Sequence, residues 1–202
     1  MSNMSQETTS RQDEILIAAF SQFKQYGFRK TSMEDIARAT GISRASLYTH
    51  FENKEEIFKS ACIAINDQSL DEVAQILKGT EKPASKTSPL AVRMEAALMA
   101  RYGPLLEIAQ SPHGSEIYDE NNRLCGELVS DSAKRLNDLL AKALRVSDRA
   151  GEINLKGAQL SALATAELIQ MGATGLKHGT PGVASFQKRL NGFLRVFLSG
   201  LC

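Results

Sequence analysis

The residues best suited to chemistry lie together in the run Ser43-Arg44-Ala45-Ser46-Leu47-Tyr48-Thr49-His50. One apolar side chain, Leu47, stands among small or hydrogen-bonding ones, whereas a helix that only covers a core carries a broader apolar stripe. On such a helix Arg44 can donate a bidentate pair to guanine in a major groove. Ser46 can bond either class of base, and Ala45 admits close backbone approach or meets a thymine methyl. Tyr48, Thr49 and His50 can donate to phosphate oxygens. Lys54 follows at the start of the next helical run, where its charge and the positive end of the helix dipole both favour a phosphate. This is recognition chemistry and not bond-making: the helical periods bring together no Ser-His-Asp set, no paired carboxylates and no metal cluster, so no catalytic residue and no metal ligand is assigned.

A reading helix needs elements that hold it. The spacing predicts a first helix from about Arg11 to Tyr26, with Ile15, Ala18, Ala19 and Phe23 on one face and Gly27 as its stop. Thr31-Ser-Met-Glu34 has the T-x-x-E form of a capping box. It opens a short helix with Met33, Ile36 and Ala37 inward, ending at Thr40-Gly41, where glycine can take the left-handed conformation of a tight turn. Ser43 caps a third helix to about His50, and Asn53 caps a long fourth one to about Leu77. Phe20, Phe23, Tyr26, Phe28, Tyr48, Phe51 and Phe58 all fall in this first stretch, as a small self-contained helical unit requires. Two short helices joined through Gly41 have the dimensions of a helix-turn-helix.

The stretch Tyr26-Gly-Phe-Arg-Lys-Thr-Ser-Met-Glu-Asp-Ile-Ala-Arg-Ala-Thr-Gly-Ile-Ser-Arg-Ala-Ser-Leu-Tyr-Thr-His-Phe-Glu-Asn-Lys-Glu-Glu-Ile-Phe58 resembles the N-terminal DNA-binding domain of the tetracycline-repressor (TetR) family. The resemblance rests on the cap, the turn glycine, Leu47-Tyr48-x-His50-Phe51 and Lys54-Glu55-Glu56 at matching spacings. It implies that Thr31, Ser43, Arg44, Ala45, Ser46, Tyr48, Thr49, His50 and Lys54 contact duplex DNA. The departures are mild: the family often has glycine at Ala45 and a larger residue at Thr49, which bears on base preference. Arg29, Lys30 and Arg38 are read as a solvated rim that adds to the local field.

The bulk composition gives no hint of that partner. The chain has 202 residues, 43% apolar and 6% aromatic, with 24 Lys plus Arg against 23 Asp plus Glu and a net charge of +1. Any positive charge toward DNA must therefore be local. Cys62, Cys125 and Cys202 are odd in number and widely spaced, without metal-ligand spacing, which argues for a reducing compartment. No apolar run reaches a membrane span, the start shows no signal-peptide core, and a cytoplasmic protein is expected.

Beyond the first stretch, a linker is read over 79–88, then helices at about 89–102, 104–111, 115–149, 154–178 and 182–200, punctuated by Gly103-Pro104, Ser111-Pro112, Gly151 and Gly179-Thr-Pro181. The expectation is an all-α chain of about nine helices: a DNA-binding domain over 1–53 and a helical ligand-binding and dimerisation domain over 54–202. The last two helices carry Leu163, Leu168, Gly172, Gly175, Leu176, Phe186, Leu190, Phe193, Leu194 and Phe197 at helical spacing. An intramolecular core explains this stripe; the resemblance turns it toward a homodimeric four-helix bundle reading two half-sites of a palindromic operator. The resemblance further implies a cavity for a small-molecule effector of unknown identity, with no other cofactor. Its candidate lining is Phe58, Cys62, Ile65, Met94, Leu98, Met99, Tyr102, Leu105, His113, Tyr118 and Cys125. Structural core explains each of these singly, Glu95, Glu107 or Glu116 would suit a cationic ligand, and a thiol sensor at Cys62 or Cys125 is an alternative. A ligand-independent regulator, an activator, or a helical interaction protein without DNA binding are the competing readings.

Overall fold

The computed structural model describes residues 10–79 and 89–201. Among them it forms eight α-helices and no strand, close to the nine expected. The chain divides into two compact units, one drawing on Met1–Ile65 and Ser111–Gly126, the other on Asn66–Gln110 and Glu127–Cys202. Of the linker read over 79–88 only Gly79 lies among the described residues, and Cys202 lies outside them.

In the first unit, α1 (Arg11–Tyr26), α2 (Met33–Thr40), α3 (Arg44–His50) and the start of α4 (Lys54–Lys78) stand where the sequence puts them. Short helices gain little from propensity, so their ends must be satisfied. Ser10 and Asp13 close a reciprocal box on α1, Ser43 Oγ accepts from Ser46 N at 3.0 Å on α3, and Asn53 Oδ1 accepts from Glu56 N at 2.8 Å on α4. The cap of α2 corrects the expected register. The box is Ser32 with Asp35, while Thr31 is buried and its hydroxyl donates to Gly27 O at 2.7 Å. Gly41 takes φ +66° at the turn, with its N–H on Arg38 O and that of Ile42 on Ala37 O. Ile15, Ile36, Leu47 and Ile57 are fully buried, and Phe58 lies within 5.7 Å, centroid to centroid, of the Phe23 and Phe28 rings.

The second unit is built on α5 (Pro89–Ala109), α7 (Ala162–Lys177) and α8 (Val183–Ser199), with the later parts of α4 and of α6 (Gly114–Arg149). The break expected at Gly103-Pro104 does not occur, because α5 runs through Pro104. Proline has no N–H for the carbonyl four residues back. That carbonyl, Ala100 O, accepts instead from the Ser69 hydroxyl at 3.3 Å. The helix expected from 154 starts only at Ala162, capped by Ser161. The intervening loop is fixed by Asp148 Oδ1 on Leu155 N (2.9 Å) and Asn154 Oδ1 on Gly157 N (2.7 Å), and it buries Ile153 and Leu155. Gly103 is buried, yet among the described residues a Cβ built there would meet no atom within 4 Å beyond its chain neighbours and its own helix backbone, so space is left on that side of α5. The buried Asn66 amide nitrogen, three residues before Ser69, has no hydrogen-bond partner among the described residues.

Candidate nucleic-acid interface

α3 is a short display held by one anchor. Leu47 is fully buried, and Ser43, Arg44, Ala45, Tyr48 and Thr49 are exposed, with Ser46 and His50 half-exposed. Arg44 is tethered only loosely: Nη2 is 3.4 Å from Tyr48 Oη, Nη1 is 3.9 Å from Glu34 Oε2, and the guanidinium lies 5.5 Å from the Tyr48 ring centre. Those contacts pre-orient the fork without occupying it. Two hydroxyls are less free than expected, since Ser43 caps the helix and Thr49 Oγ1 donates to Ser46 O at 2.7 Å.

Two of the expected contacts serve the scaffold instead. Thr31 is turned inward, as above. Lys54 Nζ donates to Phe28 O (2.9 Å), Arg29 O (3.2 Å) and Thr31 O (3.0 Å), and it lies 4.7 Å from the Phe28 ring centre. An ammonium has three protons, and all are spent on the loop that leads into α2. The same loop is held from its other side by the start of α6. Glu116 Oε1 accepts from Arg29 N at 2.7 Å, its Oε2 lies 3.3 Å from His113 Nδ1, and buried Glu120 pairs with Arg123 (2.6 Å) and Arg29 (3.6 Å). A side chain on Gly27, at φ +89°, would collide with Glu116. Sequence reading missed this grip because it joins residues some 87 positions apart and follows no short-range period. At α2, the Ser32 hydroxyl and N–H, with a smaller contribution from Arg38, hold the Asp35 carboxyl below its usual value against a small opposing effect of burial.

Residues 15–61 match the family model for bacterial regulatory proteins of the tetR family. Over these residues the chain carries the DNA-binding domain that this family model describes. It is 28% identical over 133 residues to the HTH-type transcriptional repressor KstR2 of Mycolicibacterium smegmatis, covering 66% of this chain and 55% of that one. It is 39% identical over 49 residues to the icaADBC biofilm-operon negative regulator IcaR of Staphylococcus epidermidis, covering 24% and 26%. The matched part thus spans about half or less of these relatives. A TetR-family structure from Mesorhizobium loti superposes with TM-score 0.68 at 19% identity over 94% of this chain and 95% of that one. SmeT of Stenotrophomonas maltophilia, in a complex with triclosan, gives 0.65 at 19% over 94% and 90%. At such identities the likeness is one of fold.

The structure also sorts the other residues expected to act. Of the candidate effector lining, Phe58, Cys62, Ile65, His113, Tyr118 and Cys125 belong to the first unit, and Met94, Leu98, Met99, Tyr102 and Leu105 to the second. Phe58 packs in the aromatic core of the first unit, and Tyr118 is 54% exposed. His113 is engaged with Glu116. The Cys62 and Cys125 thiols lie close enough to influence each other, Cys125 at a point where α6 leaves helical geometry (φ −129°, ψ 22°). Burial pushes both thiols up, which makes them poor nucleophiles at neutral pH. Of the expected dimer residues, Phe186, Leu190 and Leu194 are buried in their own unit, and Gly172 receives the Phe193 ring. These are intramolecular core, because one face of α8 is used within the chain. Leu163 and Leu168 remain exposed, joined by Met171 (68%) and Val196 (70%), which the sequence stripe did not single out. No helix among the described residues is long and apolar enough to cross a membrane, and none of their His, Cys, Asp and Glu side chains form a group that could hold a metal ion.

Proposed function

We propose that this protein is a DNA-binding transcriptional repressor that docks α3 in the major groove, binds a palindromic operator as a homodimer and is released by a small-molecule effector. One observation carries the DNA reading: α3 buries only Leu47 and turns Arg44, Ala45, Tyr48 and Thr49 outward from a capped helix-turn-helix. Arg44 reads a base edge, Tyr48 and His50 bond phosphates, and Thr31 and Lys54 hold the loop before α2 in register. Repression is supported by two relatives, KstR2 a repressor and IcaR a negative regulator.

Dimerisation is supported by the exposed apolar residues of α7 and α8, since two half-sites one duplex turn apart need two reading heads. The effector reading is supported by the space beside Gly103 and the unpartnered Asn66 amide, and by the triclosan held by a protein of like fold. Of the three carboxylates that would suit a cationic effector, two are engaged, Glu95 by Gln187 (3.2 Å) and Asn191 (2.6 Å) and Glu116 by Arg29 N, and Glu107 is exposed.

The test is selection of bound duplexes from a random pool, followed by gel shifts on the enriched site. Wild type should enrich an inverted repeat. Arg44→Ala should lose about 1–3 kcal/mol of discrimination at one base pair of each half-site. An Arg44→Ala protein with unchanged preference at every position would remove Arg44 from base reading, and no enriched site at all would end the DNA reading.

A further inference from the structure

Arg101 on α5 and Lys177 on α7 stand beside the Tyr102–Thr174 contact in the second unit, with no carboxylate among the described residues paired to either. Arg101 and Tyr102 are neighbours on α5, and Tyr102 Oη shares a 3.0 Å hydrogen bond with Thr174 Oγ1 on α7. One turn after Thr174, Lys177 Nζ lies 6.0 Å from the Tyr102 ring centre, on the side chain next to Arg101. Both cationic side chains are half-buried. Burial lowers Arg101 from its usual value, and burial followed by the like charge of Arg101 lowers Lys177. No carboxylate among the described residues pairs with either. On α5, Glu95 is held by Gln187 and Asn191 and Glu107 is exposed; on α7, Glu167 is exposed; α8 carries no acidic residue.

Like charges withdrawn from water cost stability, and an anion seated between them removes that cost. We propose that this corner binds the anionic head of a small molecule, a carboxylate or a phosphate. Arg101 supplies a planar fork of N–H donors and Lys177 a point charge. The Tyr102 and Thr174 hydroxyls share one hydrogen bond, which leaves one O–H proton free to donate to the same head group. The proposal rests on the reading that the second unit binds an effector, and it names the charge of that effector.

The test uses the full chain and four probes at matched ionic strength: octanoate, inorganic phosphate, octan-1-ol and octylamine. Binding is read by calorimetry and by the shift in melting temperature. Octanoate should bind at least about tenfold tighter than octan-1-ol, and octylamine should not bind. Saturable binding of inorganic phosphate, against octanoate, tells which head group the corner prefers. Arg101→Gln and Lys177→Gln should each weaken anion binding about tenfold or more. Lys177→Met should melt higher than wild type without ligand, a readout that a merely misfolded variant cannot give. Equal binding of octanoate and octan-1-ol overturns the anion site and leaves the effector reading standing. If the variants change dimer dissociation and not anion binding, the counter-charge belongs to a second copy and the proposal fails. If no probe binds, and none of them releases DNA, both readings fall.

Discussion

α3 and α8 solve opposite problems. α3 has 7 residues, buries Leu47 alone and depends on a side-chain cap, Ser43 on Ser46 N. α8 has 17 residues, buries Phe186, Leu190, Leu194 and Leu198, and begins at Gly182 with no side-chain cap at all. A helix with four buried anchors is held by packing; one with a single anchor must have its ends satisfied. What each leaves outside follows from this. α3 spends little on its own core and presents donors, whereas α8 and its neighbour α7 bury one face and still expose Leu163, Leu168, Met171 and Val196. A polar display suits a duplex; an apolar remainder suits a second copy of the chain.

The largest expected effect would come from breaking the apolar side of that contrast. Met171→Glu together with Val196→Glu places charge on the outward faces of α7 and α8 and touches nothing buried. The variant should melt like wild type but sediment as a monomer. Its operator affinity should fall by about 10²–10⁴, since two linked heads gain that much over one. A variant that remains dimeric and binds normally would place the partner surface elsewhere.

A smaller effect tests the polar side. Lys54→Met keeps the stem against Phe28 and removes the three donations to Phe28 O, Arg29 O and Thr31 O. Stability should drop by about 1–3 kcal/mol, and affinity should fall alike for all DNA sequences. The slope of log affinity against log salt should stay as in wild type, because the ammonium faces carbonyls. A slope smaller by about one would mean that Lys54 neutralises a phosphate.

Much of the first unit was legible because its signals are local. The Gly41 turn, the caps Ser43 and Asn53 and the clustered phenylalanines each act within a few residues. The α2 cap shows the limit of such reading. Thr31-Ser32-Met33-Glu34-Asp35 offers two overlapping boxes, and burial of Thr31 against Gly27 O selects the second. The second unit hid more because tertiary contacts decide it. Pro104 stays in a helix only because Ser69 takes the freed carbonyl, and an apolar stripe does not say which of its sides meets the chain's own core. The grip of Glu116 on Arg29 N and the ammonium of Lys54 on loop carbonyls belong to the same class: side chains with an obvious ligand reading that long-range packing has already engaged.

The smallest expected effect separates the caps of the two helix-turn-helix members. Asp35 on α2 is ionised and accepts from Ser32 Oγ (2.6 Å) and Ser32 N (3.0 Å), while the cap of α3 is a hydroxyl that does not titrate. Its folded value lies below the unfolded carboxylate value, so its contribution is complete above the unfolded value and is lost as pH falls through the folded one. Melting curves of wild type should therefore lose stability below about pH 4 more steeply than those of Asp35→Asn, whose amide cannot titrate. Ser43→Ala should lower stability by about 0.5–2 kcal/mol at every pH alike. If Asp35→Asn and wild type lose stability in parallel on acidification, the carboxylate adds nothing as an anion, and α2 rests on Met33, Ile36 and Ala37 as α8 rests on its buried face.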